Sequence, residues 1–184
     1  MAYLELIIGP MFSGKTSKLL DIYKECNYCN IKCVIINHSL DTRYTDKMVS
    51  THDSNMAPCI FTDQLSKLWN FEQNTFNEEL DKADVILINE GQFFDDLYSV
   101  VYSMLSKQKI IFICGLDGDF ERKKFGCILD LIPICDKVTK LNSLCSKCKD
   151  GTPGIFSMRI TNETEQTLIG SDNYIPVCRK CYVL

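Results

Sequence analysis

The chain has 184 residues, 46% of them apolar, and a formal net charge of −4. This is enough for one compact domain with a small appended lobe, and the acidic balance with scattered basic residues argues against a nucleic-acid partner. The N-terminus has no basic segment before an apolar core, and no stretch approaches the roughly 18 apolar residues of a membrane span. We therefore expect no membrane partner and a cytoplasmic location.

The first two predicted elements are a strand and a helix. Tyr3 to Ile8 is a short apolar run closed by Gly-Pro, which is typical of a buried strand. Lys15 to Tyr28 places Leu19, Leu20 and Ile22 at helical spacing. The chain therefore begins as strand, loop and helix.

The loop between them, GPMFSGKT, fits the phosphate-loop pattern G-x-x-x-x-G-K-[ST] in the required structural context. Its backbone N–H groups are expected to surround the phosphates of ATP at the N-terminus of the helix. Lys15 is expected to reach the β- and γ-phosphates, and Thr16 to offer its hydroxyl to Mg²⁺. The predicted phosphate-binding residues are Gly9, Pro10, Met11, Phe12, Ser13, Gly14, Lys15 and Thr16. This motif predicts nucleotide binding but leaves the phosphoryl acceptor open.

Three more β-branched runs follow, at residues 33–37, 85–89 and 110–114, and a helical pattern covers residues 95–107. Strands that alternate with helices predict an α/β fold with a parallel sheet flanked by helices. Residues 38–56 show little apolar periodicity and many turn-forming residues, so we predict a long loop there.

The run at residues 85–89, VILIN, ends in a polar residue where nucleotide-binding proteins bring an acid to the magnesium ion. That residue is Asn89, and Glu90 follows it. An amide oxygen can accept the hydrogen bond that a carboxylate would accept, but it lacks the negative charge. We therefore expect Asn89 to serve the magnesium site with a weaker attraction for the ion.

Eleven cysteines without a signal peptide favour buried thiols or metal ligands over disulfides. Cys145 with Cys148, and Cys178 with Cys181, form two CxxC pairs separated by 29 residues, which is typical of a closed, structural Cys₄ zinc site. We interpret the remaining seven cysteines, including the cluster at positions 26, 29 and 33, as structural.

Near residue 141 the sequence changes from alternating strands and helices to short β-like runs between two CxxC pairs. This change predicts two units: a nucleotide-binding domain at residues 1–140 and a zinc-binding lobe at residues 141–184. Short β-like runs at 155–160 and 166–169 are predicted as the strands of that lobe.

Five blocks of this sequence, in order and spacing, resemble those of the type II thymidine kinases, a zinc-containing family of cellular, bacterial and poxviral enzymes. The blocks are GPMFSGKT, DTRYTDKMVSTHD, NEGQFF, GLDGDFERKKFG and the two CxxC pairs. The resemblance extends from Glu5 to Tyr182. It implies a P-loop NTPase-type sheet and a zinc-ribbon-like lobe whose lasso loop binds the substrate.

The resemblance also implies a reaction: transfer of the γ-phosphate of ATP to the 5′-hydroxyl of thymidine, and of deoxyuridine as a further acceptor. Glu90 matches the general base of the family. Asp41 and Arg43 match positions near the acceptor hydroxyl and the transferring phosphates. Lys15 completes the implied catalytic set, since phosphoryl transfer depends mainly on positioning and electrostatics.

The implied thymidine pocket is mainly apolar and aromatic, which suits a flat pyrimidine with a methyl group. Met11, Phe93, Leu116 and Phe120 match its wall, and Tyr174 matches the tyrosine that closes over the nucleoside. The resemblance further implies a homotetramer and feedback inhibition by thymidine triphosphate.

Two departures from the family pattern leave alternatives open. The family commonly has Asp at the position of Asn89, and the stretch IFSMRITNETEQTLI aligns only loosely with the lasso loop. The alternatives are a kinase with a broader pyrimidine deoxynucleoside range, a nucleotide-binding homologue with impaired transfer, and a zinc-ribbon nucleic-acid module.

Overall fold

A computed structural model describes residues 1–41, 48–50, 56–70, 74–168, 170 and 172–182. The strands are β1 (Tyr3–Ile8), β2 (Cys33–His38), β3 (Met48–Ser50), β4 (Met56–Pro58), β5 (Ile60–Thr62), β6 (Trp69–Asn70), β7 (Thr75–Phe76), β8 (Val85–Asn89), β9 (Ile110–Gly115), β10 (Lys137–Lys140), β11 (Ser143–Leu144), β12 (Pro153–Gly154), β13 (Phe156–Arg159) and β14 (Tyr174–Val177). The α-helices are α1 (Lys15–Tyr28), α2 (Glu78–Lys82) and α3 (Leu97–Ser106), with short 3₁₀ helices at Leu65–Leu68, Gly91–Phe93 and Ile128–Ile134.

The centre of the molecule is a six-stranded sheet in the order β10-β1-β9-β8-β2-β5. Every neighbouring pair in it is parallel. The predicted α/β class is therefore confirmed. Because all six strands run in the same direction, their carboxyl ends lie at one edge, which is where open α/β sheets bind ligands.

Alternation along the strands gives the sheet two covered faces. On β1, Leu4 and Leu6 belong to the core cluster that includes residues of α3, whereas Ile7 belongs to the cluster that includes residues of α1. Period-two alternation directs successive side chains to opposite faces, so each face needs its own helix. Helix α1 begins directly after Gly14 and has the predicted bounds, 15–28.

Two sequence predictions about irregular and extended segments were wrong. Within the predicted loop 38–56, Met48–Ser50 and Met56–Pro58 pair as antiparallel strands. Residues 166–168 are not a strand; β13 pairs instead with β14. The carbonyl of Gln166 accepts a hydrogen bond from the side chain of Arg159, so this backbone group bonds to a side chain and not to a neighbouring strand.

The C-terminal part contains two small hairpins, β11 with β12 and β13 with β14. They enclose a separate apolar cluster centred on Cys145, Val177 and Cys178. The backbone N–H of Leu141 donates to the carbonyl of Ile8, which attaches the start of this part to the end of β1. None of the helices in the described ranges combines the length and apolar character required to cross a bilayer.

Candidate functional site

A cavity lies at the carboxyl ends of the central strands, between the phosphate loop and the C-terminal hairpins. It brings together most of the residues predicted from the sequence, and these lining residues are Met11, Phe12, Ser13, Gly14, Lys15, Thr16, Asp41, Glu90, Phe93, Leu116, Phe120 and Tyr174. Gly9, Pro10 and Asn89 are not among its lining residues. Arg43 lies outside the described residues. The lining combines apolar and aromatic side chains with one ammonium group, that of Lys15, and three carboxylates, those of Asp41, Glu90 and Asp119.

The phosphate loop follows β1 and is shaped by close approach to the C-terminal part. A Cβ at Gly9 would lie 2.3 Å from the carbonyl oxygen of Leu141, so only glycine fits there. Lys15 Nζ donates to the carbonyl of Pro10 at 2.6 Å and contacts Ser13 Oγ at 3.5 Å. The ammonium group therefore lies over the loop, where phosphate oxygens can replace these acceptors.

Asn89 lies beneath the loop and is 1% exposed. Thr16 Oγ1 donates to its amide oxygen at 3.3 Å. The hydroxyl expected to face Mg²⁺ is thus held from below by the residue that stands where the family commonly has Asp. This is the hydrogen bond that the amide oxygen was expected to accept.

Glu90 adopts a left-handed backbone conformation, with φ 55° and ψ 42°, directly after β8. Such a conformation is uncommon for a residue with a side chain and concentrates at functional sites. Gln92 Nε2 donates to Glu90 Oε2 at 2.7 Å, and Gln92 Oε1 accepts from the backbone N–H of Leu116 at 2.9 Å. The buried Gln92 therefore orients the Glu90 carboxylate. Sequence reasoning missed Gln92, although its place in the block NEGQFF could have indicated it.

The aromatic wall of the cavity is supported from behind. Phe93 contacts Phe125 edge to face at 5.5 Å between centroids, and His38 at 5.5 Å. His38 is buried, and its Nδ1 accepts a hydrogen bond from the backbone N–H of Leu40 at 3.0 Å. Burial lowers the pKa of His38, so the imidazole is kept neutral.

Arg159 organises the loop between β13 and β14. Its guanidinium lies 3.7 Å from the ring centroid of Phe120 and donates to the hydroxyl of Tyr174. It also donates to the carbonyls of Glu163 and Glu165, at 2.8 and 2.6 Å. One buried cation therefore fixes two residues of the cavity wall and the course of the loop. The sequence analysis missed it, although an arginine within the β-like run FSMRI is an unusual occupant of a strand.

A second contact fastens the same loop to the segment that follows β9. Gln166 Nε2 donates to Asp119 Oδ2 at 2.7 Å. The other carboxylate oxygen of Asp119 accepts from the backbone N–H groups of Glu121 and Lys123, each at 2.9 Å. Asp119 is thus a rigid anchor. Neither residue was predicted, because the contact spans 47 positions of sequence.

The four predicted zinc ligands, Cys145, Cys148, Cys178 and Cys181, come together with their sulfur atoms within 4.8 Å of one another. Cys148 Sγ lies 3.7 Å from Cys178 Sγ and 3.4 Å from Cys181 Sγ. A tetrahedral ion with Zn–S bonds of about 2.3 Å would separate its sulfurs by about 3.8 Å, so the donor set fits zinc.

The thiolate form that zinc requires is favoured locally at Cys145, whereas hydrogen bonds with Cys181 and the other cluster sulfurs raise the pKa of Cys148 to about 12, and the pKa of Cys181 is also raised. Burial by itself would raise the pKa of Cys145, but backbone N–H groups of Cys148, Cys178 and Lys147 lower it to about 6. None of the eleven cysteines, all of which lie in the described ranges, forms a disulfide. Cys26 and Cys33 contact each other, and burial raises the pKa of both, as expected of structural thiols.

Comparison with known proteins gives whole-chain matches. The family model described as "Thymidine kinase" matches residues 2–182. The chain is 45% identical to the thymidine kinase of Sheeppox virus (strain KS-1), with 99% of this chain and 97% of the viral protein aligned. It is 42% identical to that of Oryza sativa subsp. japonica, covering 98% of this chain and 66% of the plant protein. It is 40% identical to that of Myxoma virus (strain Uriarra), covering 97% of this chain and 95% of the viral protein.

Proposed function

Because the chain belongs to the thymidine kinase family, we propose that its cavity binds thymidine beside magnesium–ATP and transfers the γ-phosphate to the 5′-hydroxyl. The observation that supports this assignment is the cavity itself, whose lining includes Lys15 and Thr16 of the phosphate loop, Glu90 and several aromatic side chains. Such a combination of phosphate-binding, basic and apolar groups suits a kinase whose acceptor is a small, flat nucleoside.

The triphosphate is held by residues 9–16. Backbone N–H groups of the loop and the N-terminus of α1 face its anionic oxygens, and Lys15 exchanges its present acceptors for the β- and γ-phosphates. Thr16 offers its hydroxyl oxygen to Mg²⁺, with Asn89 behind it. These groups hold the γ-phosphate in position for in-line attack.

Transfer needs a proton acceptor at the nucleoside hydroxyl, and Glu90 is the group that fits. As the new bond forms between the 5′-oxygen and the γ-phosphorus, the bond from that phosphorus to the bridging oxygen of ADP breaks. The hydroxyl proton goes to Glu90, which Gln92 holds in place. Lys15 and Arg43 are assigned to the charge on the transferring group, and Asp41 to the acceptor side.

Thymidine is placed by the apolar side of the cavity. Phe93, Leu116 and Phe120 form the wall for the pyrimidine, Met11 contributes from the phosphate loop, and Tyr174 closes from β14. Arg159 supports the Phe120 and Tyr174 rings by contacts on the side of the loop. The loop between β13 and β14 is therefore assigned as the lasso loop of the family.

The four-cysteine cluster is assigned to one structural Zn²⁺ ion, which would cross-link the two CxxC turns and leave no open coordination position. We place the boundary between the nucleotide-binding domain and the zinc lobe at residue 140. Lys140 ends the last strand of the central sheet, and the apolar cluster around Cys145 is separate from the two sheet clusters.

The competing interpretations are weaker. A homologue with impaired transfer is not favoured, since Asn89 makes the hydrogen bond to Thr16. A zinc-ribbon nucleic-acid module is not favoured, because the whole chain matches the kinase family and is acidic. Deoxyuridine remains a proposed second acceptor, to be tested by comparing its turnover with that of thymidine.

Three further properties are proposed for this chain. Thymidine triphosphate should inhibit, because one cavity adjoins both the base wall and the phosphate loop; rates at rising inhibitor concentration test this. A homotetramer is testable by light scattering. A cytoplasmic location, where reducing conditions would suit the eleven cysteines, is testable by fractionation.

The decisive experiment is turnover of thymidine with ATP, detected as thymidine monophosphate by chromatography. Glu90→Gln removes the proton acceptor but keeps shape, so we expect kcat to fall roughly 10²- to 10⁴-fold with little change in thymidine binding. An unchanged Tm would show that the variant is folded. No product from the parent protein would refute the proposed function, and near-normal kcat of Glu90→Gln would refute the role of Glu90.

A further inference from the structure

Four polar side chains form one hydrogen-bonded chain beneath the phosphate loop. Thr16 Oγ1 donates to Asn89 Oδ1 at 3.3 Å, and Asn89 Nδ2 donates to Asn37 Oδ1 at 2.8 Å. Asn37 Nδ2 in turn donates to Asp41 Oδ2 at 3.2 Å. We call this set, Thr16, Asn89, Asn37 and Asp41, the amide relay. It joins the magnesium side of the site to the acceptor side.

The relay is built into the sheet. Asn37 and Asn89 are direct register partners at the ends of β2 and β8. Both are 1% exposed, and Asp41 is 7% exposed. Cys114, at the same level of the neighbouring strand β9, places its thiol 2.8 Å from Asn89 Oδ1 as a further donor. Amides buried this deeply are costly unless paired, so their arrangement is specified.

The direction of the relay follows from the chemistry of Asp41. An ionised carboxylate accepts hydrogen bonds and donates none, so Asn37 must turn its NH₂ group to Asp41 and its oxygen to Asn89. Asn89 must then turn its own NH₂ group to Asn37 and its oxygen to Thr16. The Thr16 hydroxyl consequently donates its hydrogen bond to Asn89. Its lone pairs remain for a cation above it.

We propose that Asn37 is a positioning residue of the kinase site. Because Asp41 can only accept, Asn37 fixes the donor–acceptor direction of the next two hydrogen bonds, through Asn89 to the Thr16 hydroxyl. This deepens the proposed function and rests on it. It also explains why an amide works at position 89. A carboxylate there could not donate to Asn37, and turning Asn37 around would set its oxygen against Asp41.

The first test is the magnesium dependence of turnover. Asn37→Leu is similar in volume but leaves the Asn89 NH₂ group without a partner and free to turn toward Thr16. We expect the half-saturating magnesium concentration to rise roughly three- to tenfold, with the KM for thymidine within twofold of the parent. Ile88→Val, a buried neighbour on β8, is the control for lost stability and should keep the parent magnesium dependence.

The second test is a stability cycle that does not use activity. Asn89→Asp should lower the Tm by roughly 3 to 10 °C. Adding Asp41→Asn supplies an NH₂ donor at position 41, so Asn37 can turn around, accept from position 41 and donate to the carboxylate at position 89. The double variant should therefore regain at least half of that loss. The proposed role of the relay would be overturned if the Tm changes of Asn89→Asp and Asp41→Asn were additive. It would also be overturned if Asn37→Leu kept the magnesium dependence of the parent. Neither result bears on whether the parent phosphorylates thymidine, so a failure of the proposed function would be recognised separately.

Discussion

At the end of β8, the left-handed conformation of Glu90 turns the chain directly from the sheet into a short 3₁₀ helix. This turn brings Gln92 back to hold the Glu90 carboxylate. A residue in a left-handed conformation costs on the order of 1–3 kcal/mol and persists only where the surroundings determine it. In the proposed mechanism this conformation is useful because it fixes the carboxylate at the edge of the cavity, where a proton acceptor must be in place before transfer.

His38, behind the aromatic wall, gives a prediction about pH and stability. Burial lowers its pKa in the folded state, against an unfolded value of about 6.5. As the pH falls through that value, the unfolded chain takes up a proton that the folded chain refuses, so folding stability decreases. We expect the Tm of the parent to fall more steeply from pH 7.5 to 5.5 than that of His38→Asn.

Asparagine is the informative replacement because its oxygen can accept the Leu40 N–H bond that His38 Nδ1 accepts, and it does not titrate. Thermal unfolding followed by circular dichroism at each pH gives the comparison. Equal slopes for the parent and for His38→Asn would show that His38 does not contribute to the pH dependence.

At the scale of elements, the loop between β13 and β14 is ordered by side chains and not by regular pairing. The guanidinium of Arg159 donates to carbonyls of this loop, and the Gln166–Asp119 hydrogen bond fastens the loop to the segment that follows β9. A loop that uses its backbone acceptors in this way has lost its capacity to continue as a strand. Its position over the cavity thus depends on a few polar contacts, each of which can be removed singly.

Gln166→Leu removes one of these contacts and should loosen the loop over the nucleoside. We expect the KM for thymidine to rise roughly three- to tenfold, while the KM for ATP changes little, because the lost hydrogen bond lies on the base side. Steady-state kinetics with each substrate varied in turn measure this. Thr164→Ala, at an exposed position of the same loop, is the matched control. Equal effects on both KM values would contradict the assignment.

For the whole molecule, the four-cysteine cluster is connected to the cavity through β14. Cys178 follows β14 directly, and β14 begins with Tyr174, whose register partner is Arg159. The zinc ion proposed for the CxxC turns would therefore hold one end of the loop between β13 and β14. In isolated zinc fingers, the binding of zinc supplies about 10–16 kcal/mol of apparent folding free energy. We therefore expect this lobe to lose its fold without metal.

Cys145→Ser should release zinc and unfold the lobe, with loss of thymidine binding and retention of ATP binding. Metal content by mass spectrometry, proteolytic cleavage after residue 140 and calorimetric binding of each substrate measure the three effects. Cys29→Ser, an exposed cysteine outside the cluster, is the control. A Cys145→Ser protein that keeps both its zinc and full activity would show that the metal site is wrongly assigned.

Local signals in the sequence were enough to predict much of the architecture. The helix at residues 15–28 and the strands ending at Ile8 and Asn89 were predicted because their periodicity and closing residues act over neighbouring positions. The cysteine cluster was predicted for the same reason, since CxxC spacing fixes each half of the site locally. The role of Glu90 stays a prediction until its variant is measured.

What only the tertiary structure decided are contacts between side chains far apart in sequence. Gln166 with Asp119, and Asn37 with Asn89 across β2 and β8, depend on which strands are neighbours and in what register. Register is set by packing of the whole sheet and leaves no local pattern to read. The sequence by itself therefore determined which groups could bind phosphate, metal and nucleoside. Folding decided which buried amides and loop contacts hold those groups in position, because hydrogen bonds depend on distances that only the packed sheet establishes.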